Sequence, residues 1–106
     1  MPKFMRIMVF FDLPVMSEHE RKVATQFRNF LIRDGYYMLQ FSIYVRLCGG
    51  QDSVDDAIKR LKSVAPQTGS IRCLIVTEKQ YAGMQLIVGK KKKQEKSIEM
   101  YQISFI

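Results

Sequence analysis

Residues 36–48, YYMLQFSIYVRLC, alternate without interruption. Tyr37, Leu39, Phe41, Ile43, Val45 and Leu47 fall on one parity, and Gln40, Ser42 and Arg46 on the other. A period of two marks β-structure, because successive side chains of a strand point to opposite faces. Fully extended, this run would reach ~43 Å, well beyond an ordinary strand. It must therefore break at a sharp bend or a tight hairpin near Gln40–Ser42. The alternation never falters, so it does not choose between the two.

The flanking segments supply the rest of the frame. Residues 4–12 read as a strand with both faces apolar, which suits a central strand covered on two sides. Ser17 and Glu20 have capping-box spacing, each satisfying the other's free backbone donor at a helix start. Val23, Phe27, Phe30 and Leu31 follow at helical spacing and form a core-facing stripe. Arg21, Lys22, Arg28 and Arg33 fall mostly on other faces, and Gly35 suits the C-terminal cap. Gly49-Gly50 is a turn. A second helix is expected over 53–65, with Val54, Ala57, Ile58, Leu61 and Val64 as its stripe and Pro66 closing it. Residues 71–77 read as a buried strand and residues 84–88 as a short one. The expected order is β-α-β-β-α-β with extra strand at the end: an α+β, ferredoxin-like antiparallel sheet with two helices on one face. No third helix is legible to cover the other face, so sheet-to-sheet packing of a homodimer is the simplest cover. Residues 1–88 form the domain, 89–99 a basic linker, and 100–106 (MYQISFI) a terminal strand suited to a partner's sheet edge.

The chain has 106 residues, enough for one core. No stretch approaches the ~18 apolar residues of a membrane span. The N-terminus lacks a small-residue cleavage site, so a signal peptide is rejected and the cytoplasm is the expected address. Cys48 and Cys73 match no metal-ligand spacing and read as two buried free thiols in a reducing compartment. The net charge of +7, from 17 basic and 10 acidic residues, favours polyanionic partners, nucleic acid first.

Asp12 is the residue that most needs a reason. Five apolar residues, Ile7–Phe11, run straight into it, and no second acid stands nearby. Taken alone, it reads as a turn carboxylate that accepts backbone hydrogen bonds. A twofold axis changes that reading. Mg²⁺ binds hard oxygen ligands and often takes only one or two carboxylates. Two Asp12 side chains across a dimer axis would make such a site, each chain supplying half. A cation held there activates water against a phosphodiester.

These residues together resemble a known family. Phe11-Asp12 closes the first strand, a basic helix follows, and Gly35 precedes Gln40-x-Ser42-Ile43-Tyr44. The set resembles the small CRISPR-associated adaptation protein that partners the integrase, and the FDLP ending resembles the subgroup found with single-protein effector nucleases. The resemblance covers nearly the whole chain. It implies a ferredoxin-like homodimer that bridges two integrase dimers and holds double-stranded DNA during spacer acquisition. It implies a divalent-metal site at Asp12 and a metal-dependent nuclease activity on RNA or DNA. It also places backbone-binding basic residues at Arg21 and Lys22. Pro14 and Met16 make the loop before the helix less basic than in some relatives.

Other residues carry weaker signals. Lys90, Lys91, Lys92 and Lys93 read as a solvated linker or, given a duplex, as phosphate contacts. His19, in the first helical turn, opposes the helix dipole and is expected neutral and exposed. Ser42 lacks a legible activating base and reads as a structural hydroxyl. Tyr36, Tyr37 and Tyr44 are candidates for base stacking, with core the safer reading of Tyr37. Two rivals stand beside the bridging role. One is a stand-alone metal-dependent endonuclease. The other is a ferredoxin-like module for a small metabolite, for which no set of convergent polar groups is legible.

Overall fold

The computed structural model describes residues 3–90. β1 (Met5–Asp12) carries apolar residues on both faces and takes an interior place in the sheet. It pairs antiparallel with β3 (Ile43–Cys48) on one side and with β4 (Ser70–Thr77) on the other. β2 (Tyr37–Gln40) lies outside β3, giving the four-stranded order β2-β3-β1-β4. With α1 (Glu18–Arg33) and α2 (Gln51–Val64) in the crossovers, the order β1-α1-β2-β3-α2-β4 is the expected ferredoxin-like arrangement.

α1 starts where the capping box places it. The Glu20 N–H donates to Ser17 Oγ (3.0 Å) and the Ser17 N–H donates to Glu20 Oε1 (2.9 Å). Ala24, Phe27 and Leu31 are its buried residues, and it ends at Asp34 before Gly35, whose φ of 95° favours glycine. The Arg46 Nε–H donates to the Asp34 carbonyl (2.7 Å), and Arg60 pairs with the Asp34 carboxylate (2.9 Å). The end of α1 is thereby tied to both β3 and α2. α2 begins two residues before the expected start and ends one residue before the expected end, with Val54, Ala57 and Leu61 buried.

The helices share a core with one face of the sheet: Ile7, Val9, Phe11 and Tyr44 pack with Phe27, Leu31, Val54 and Leu61. Phe11 meets Phe27 edge-on at 5.3 Å between ring centroids, a favoured aromatic geometry. The long alternating run resolves as a hairpin, with Phe41–Ser42 as its turn and Ser42 at φ 65°. Its apolar parity faces away from the helices: Tyr37, Leu39, Ile43 and Val45 join Met8 and Phe10 on the second face. The helix side of the same hairpin is built from Tyr36, Met38, Tyr44 and Cys48.

A third helix, α3 (Glu78–Ala82), covers one end of that second face, contrary to the expectation that none exists. Its five residues are too few to leave a helical period. Its start was nevertheless legible, because Thr77 and Gln80 form a second capping box. Arg6 anchors it. The Arg6 Nε–H and Nη2–H donate to the two Glu78 oxygens (2.7 and 3.1 Å), and the guanidinium carbon lies 4.5 Å from the Tyr81 ring centroid. The Tyr37 and Tyr81 hydroxyls share a hydrogen bond, and Arg6 Nη1–H donates to Tyr37 at 3.3 Å.

Three further expectations are corrected. β4 is an edge strand, not a buried one: Leu74 is 52% and Ile75 40% exposed. Cys73 lies on it and is exposed, whereas Cys48 is buried as expected. Both follow from its place at the rim of the sheet, with a neighbour on one side only among the described residues. Residues 84–88 form no strand; Met84, Leu86, Ile87 and Val88 are all exposed, since no edge among the described residues pairs with them. Lys91–Lys93 and the terminal MYQISFI lie outside the described residues.

Candidate functional site

The end of β1 is fixed from three sides. Toward β4, Asp12 stands opposite Ser70, and Gly69 just before it has φ +87°. A Cβ on Gly69 would lie 2.6 Å from the Asp12 carbonyl oxygen and 2.9 Å from the Leu13 side chain. Only glycine lets the chain enter β4 this close to the backbone of Asp12. Toward β3, the Phe11 N–H donates to the Ser42 carbonyl (3.0 Å), which carries the β1–β3 register past its last ladder pair, Phe10 with Ile43. The Phe41–Ser42 turn therefore lies alongside Phe11–Asp12. Behind it, Arg21 Nη1 donates to the carbonyls of Val15 and Met16, both at 3.2 Å, and holds the loop into α1.

Strand alternation puts Asp12 on the face of Arg6, Met8 and Phe10, away from α1 and α2. Its residue is exposed, and among the described residues its carboxylate makes no hydrogen bond or ion pair. The turn-carboxylate reading loses its basis, because no backbone donor engages it. Among the described residues no three His, Cys, Asp or Glu side chains come together to hold a metal. At this end of the sheet the described residues thus offer a single free carboxylate. That fits half of a shared hard-cation site and does not fit a complete one.

Arg21 is exposed but spends part of its guanidinium on the loop carbonyls; Lys22 is exposed on the next position. Lys90 is the last described residue and is exposed, while Lys91–Lys93 lie outside the described residues. His19 is exposed, as expected, and borders a small pocket with Leu13, Pro14 and Glu20.

Two residues near this end of the sheet were missed. Arg72 stands opposite Phe10 on β4, and its place on the face of Asp12 follows from the alternation Arg72, Leu74, Val76. Phe41, assigned by parity to an apolar face, is 89% exposed at the hairpin turn. The tyrosines considered for stacking are spent elsewhere: Tyr36 and Tyr44 are 3% and 5% exposed, and Tyr37 is held by Arg6 and Tyr81.

Comparison with known proteins shows the family. The family model described as "CRISPR associated protein Cas2" matches residues 5–84. A protein of Acidovorax ebreus named "CRISPR-associated endoribonuclease Cas2" is 49% identical over 100 residues, covering 94% of this chain and 98% of that protein. Proteins of the same name from Campylobacter jejuni and Ligilactobacillus salivarius are 48% and 46% identical. Those matches cover 82% and 85% of this chain, and 61% and 89% of the respective relatives. The extent of the family match and the similarity across nearly the whole chain make this protein a member of the CRISPR-associated Cas2 family.

Proposed function

We propose that the chain acts as a homodimer in the CRISPR spacer-acquisition complex, bridging integrase dimers and holding duplex DNA by its backbone. In this reading the two Asp12 carboxylates form a Mg²⁺-dependent phosphodiesterase centre. The observation that carries the proposal is a free carboxylate at the open end of an apolar sheet face. α3 covers only the far end of that face, and toward Asp12 the residues Phe10, Leu39, Ile43 and Leu74 are left half-buried or exposed. A second copy laid on this face would bury them and supply a second Asp12. The cation, when bound, offsets the repulsion of the carboxylates and activates water. Gly69 and Arg21 set where the carboxylate stands. Lys22, Arg21 and the Lys90–Lys93 run supply phosphate contacts, which position a duplex without reading its sequence.

A second reading, a stand-alone endonuclease acting on RNA, is favoured by the endoribonuclease name borne by the relatives. One pair of measurements separates the two. Cleavage of single-stranded RNA and of duplex DNA is compared for wild type and Asp12→Ala, with Mg²⁺ and with chelator. The mass of the assembly with integrase and a short duplex is then measured for both proteins. The bridging proposal expects a complex of the same mass from both proteins, with any cleavage lost in Asp12→Ala. Cleavage by wild type without any complex would leave the stand-alone enzyme.

A further inference from the structure

We infer that Phe41 is a stacking platform for an unpaired base of a nucleic-acid strand whose phosphodiester lies at Asp12. The inference rests on the reading of Asp12 as the phosphodiesterase carboxylate and adds a residue that would select the substrate.

A two-residue turn favours glycine, asparagine or aspartate, because those residues adopt positive φ and tolerate water. Here the turn is Phe41–Ser42, with Ser42 at φ 65° and the Phe41 ring 89% exposed. An apolar ring in water and a serine in the left-handed region are both unfavourable, and neither serves the core. Strain of this kind is tolerated where the surroundings enforce it and tends to collect at functional sites. The turn is indeed held, by the Phe11 N–H bonded to the Ser42 carbonyl at 3.0 Å.

The surroundings decide the occupant. The Phe11–Ser42 hydrogen bond sets the Phe41–Ser42 turn alongside Phe11–Asp12, while Ser70 stands abreast of Asp12 on the other side. One strand spacing is ~4.8 Å, so the turn, Asp12 and the start of β4 lie together at the end of the sheet. Arg72 lies on β4, exposed and opposite Phe10. An exposed aromatic with an exposed arginine across β1 from it, on a chain of net charge +7, suits a single strand that crosses the end of the sheet. The ring takes the face of a base, and the cation takes the backbone. A paired base buries its faces in the duplex stack, so this contact selects unpaired nucleotides.

The chain contains no tryptophan, so Phe41→Trp reports this position alone. The variant is titrated with a short thymidylate oligonucleotide and with a duplex of the same length. The inference expects emission quenched by the single strand and little changed by the duplex. It also expects Phe41→Ala to lose about tenfold or more in single-strand affinity, as removal of a stacked aromatic does. Phe41→Tyr should retain that affinity, and circular dichroism should read all three variants as folded. Anisotropy showing single-strand binding without quenching, or no single-strand binding at all, overturns the inference. So does emission that shifts with protein concentration alone, which would place Phe41 against a second copy. Asp12→Ala in the Phe41→Trp background keeps the two readings apart. Quenching that survives with cleavage lost supports both. Cleavage that survives removes the role of Asp12 and leaves the stacking contact standing.

Discussion

Tyr36 illustrates how one atom can be out of balance in an otherwise ordered core. The residue is 3% exposed, and among the described residues its hydroxyl has no hydrogen-bond partner. Burial, reinforced by the nearby Cys73 and Asp34, pushes its pKa well above the usual 10.0. Raised in the folded state, the group gives its full contribution to stability below about pH 10. That contribution falls as the pH climbs from there toward the folded value, since the unfolded chain loses its proton first. An unpartnered buried hydroxyl costs about 1–3 kcal/mol. Tyr36→Phe should therefore be as stable as wild type or about 1 kcal/mol more stable at pH 7, by urea denaturation. Its stability should also decline less between pH 9 and 11, within about 2 units around the tyrosine range. A substantial loss of stability at pH 7 would mean that the hydroxyl is partnered.

At the scale of elements, an ion pair helps to hold α3 against the sheet. Five residues do not hold a helix alone, and this one is kept by its capping box and by Arg6. The Arg6 and Glu78 side chains are 3% and 12% exposed. Burial works against the Arg6 charge, but the hydrogen bond and charge of Glu78 outweigh it and leave its pKa above the ordinary value. Removing one partner of such a pair leaves a buried charge uncompensated, which costs about 3–5 kcal/mol. Glu78→Ala should lose about 3 kcal/mol in a urea titration, toward the low end because Tyr37 and Tyr81 still face the guanidinium. The double variant Arg6→Met, Glu78→Met should lose less than Glu78→Ala, because it strands no charge. Equal losses would show that α3 is held by packing alone.

At the scale of the molecule, the sheet has one face closed by α1 and α2 and another that, among the described residues, only α3 covers in part. Apolar surface of this kind on a small protein marks an interaction site. Leu74, 52% exposed on the open face, tests what covers it. Wild type should sediment as a dimer, and Leu74→Asp should weaken association at least about tenfold, since a carboxylate buried in that contact has no partner. A wild-type monomer at high concentration would remove the shared site and leave each Asp12 alone.

Much of this architecture is local and was legible in the residues. The Ser17–Glu20 box fixes the start of α1, Gly35 its end, and two-sided apolarity the interior place of β1, because each depends on neighbours in sequence. Period two likewise announced the hairpin strands. It could not say which of their faces meets the helices, since alternation is symmetric between faces, and the stripe that looked like core lies on the other side. Cys73 and residues 84–88 were misjudged for the same reason: an apolar strand pattern is buried or paired only if another element arrives beside it. The identity of Asp12 as the residue in need of a function came from sequence; its freedom from partners among the described residues, the Phe41–Ser42 turn alongside Phe11–Asp12, Arg72 on the same sheet face, and the glycine pressed against its backbone came from contacts between segments far apart in the chain. The sequence by itself determined the elements, because their hydrogen bonds and caps are short-range; only the tertiary structure decided which faces are covered and what stands beside the acid, because burial is set by long-range packing.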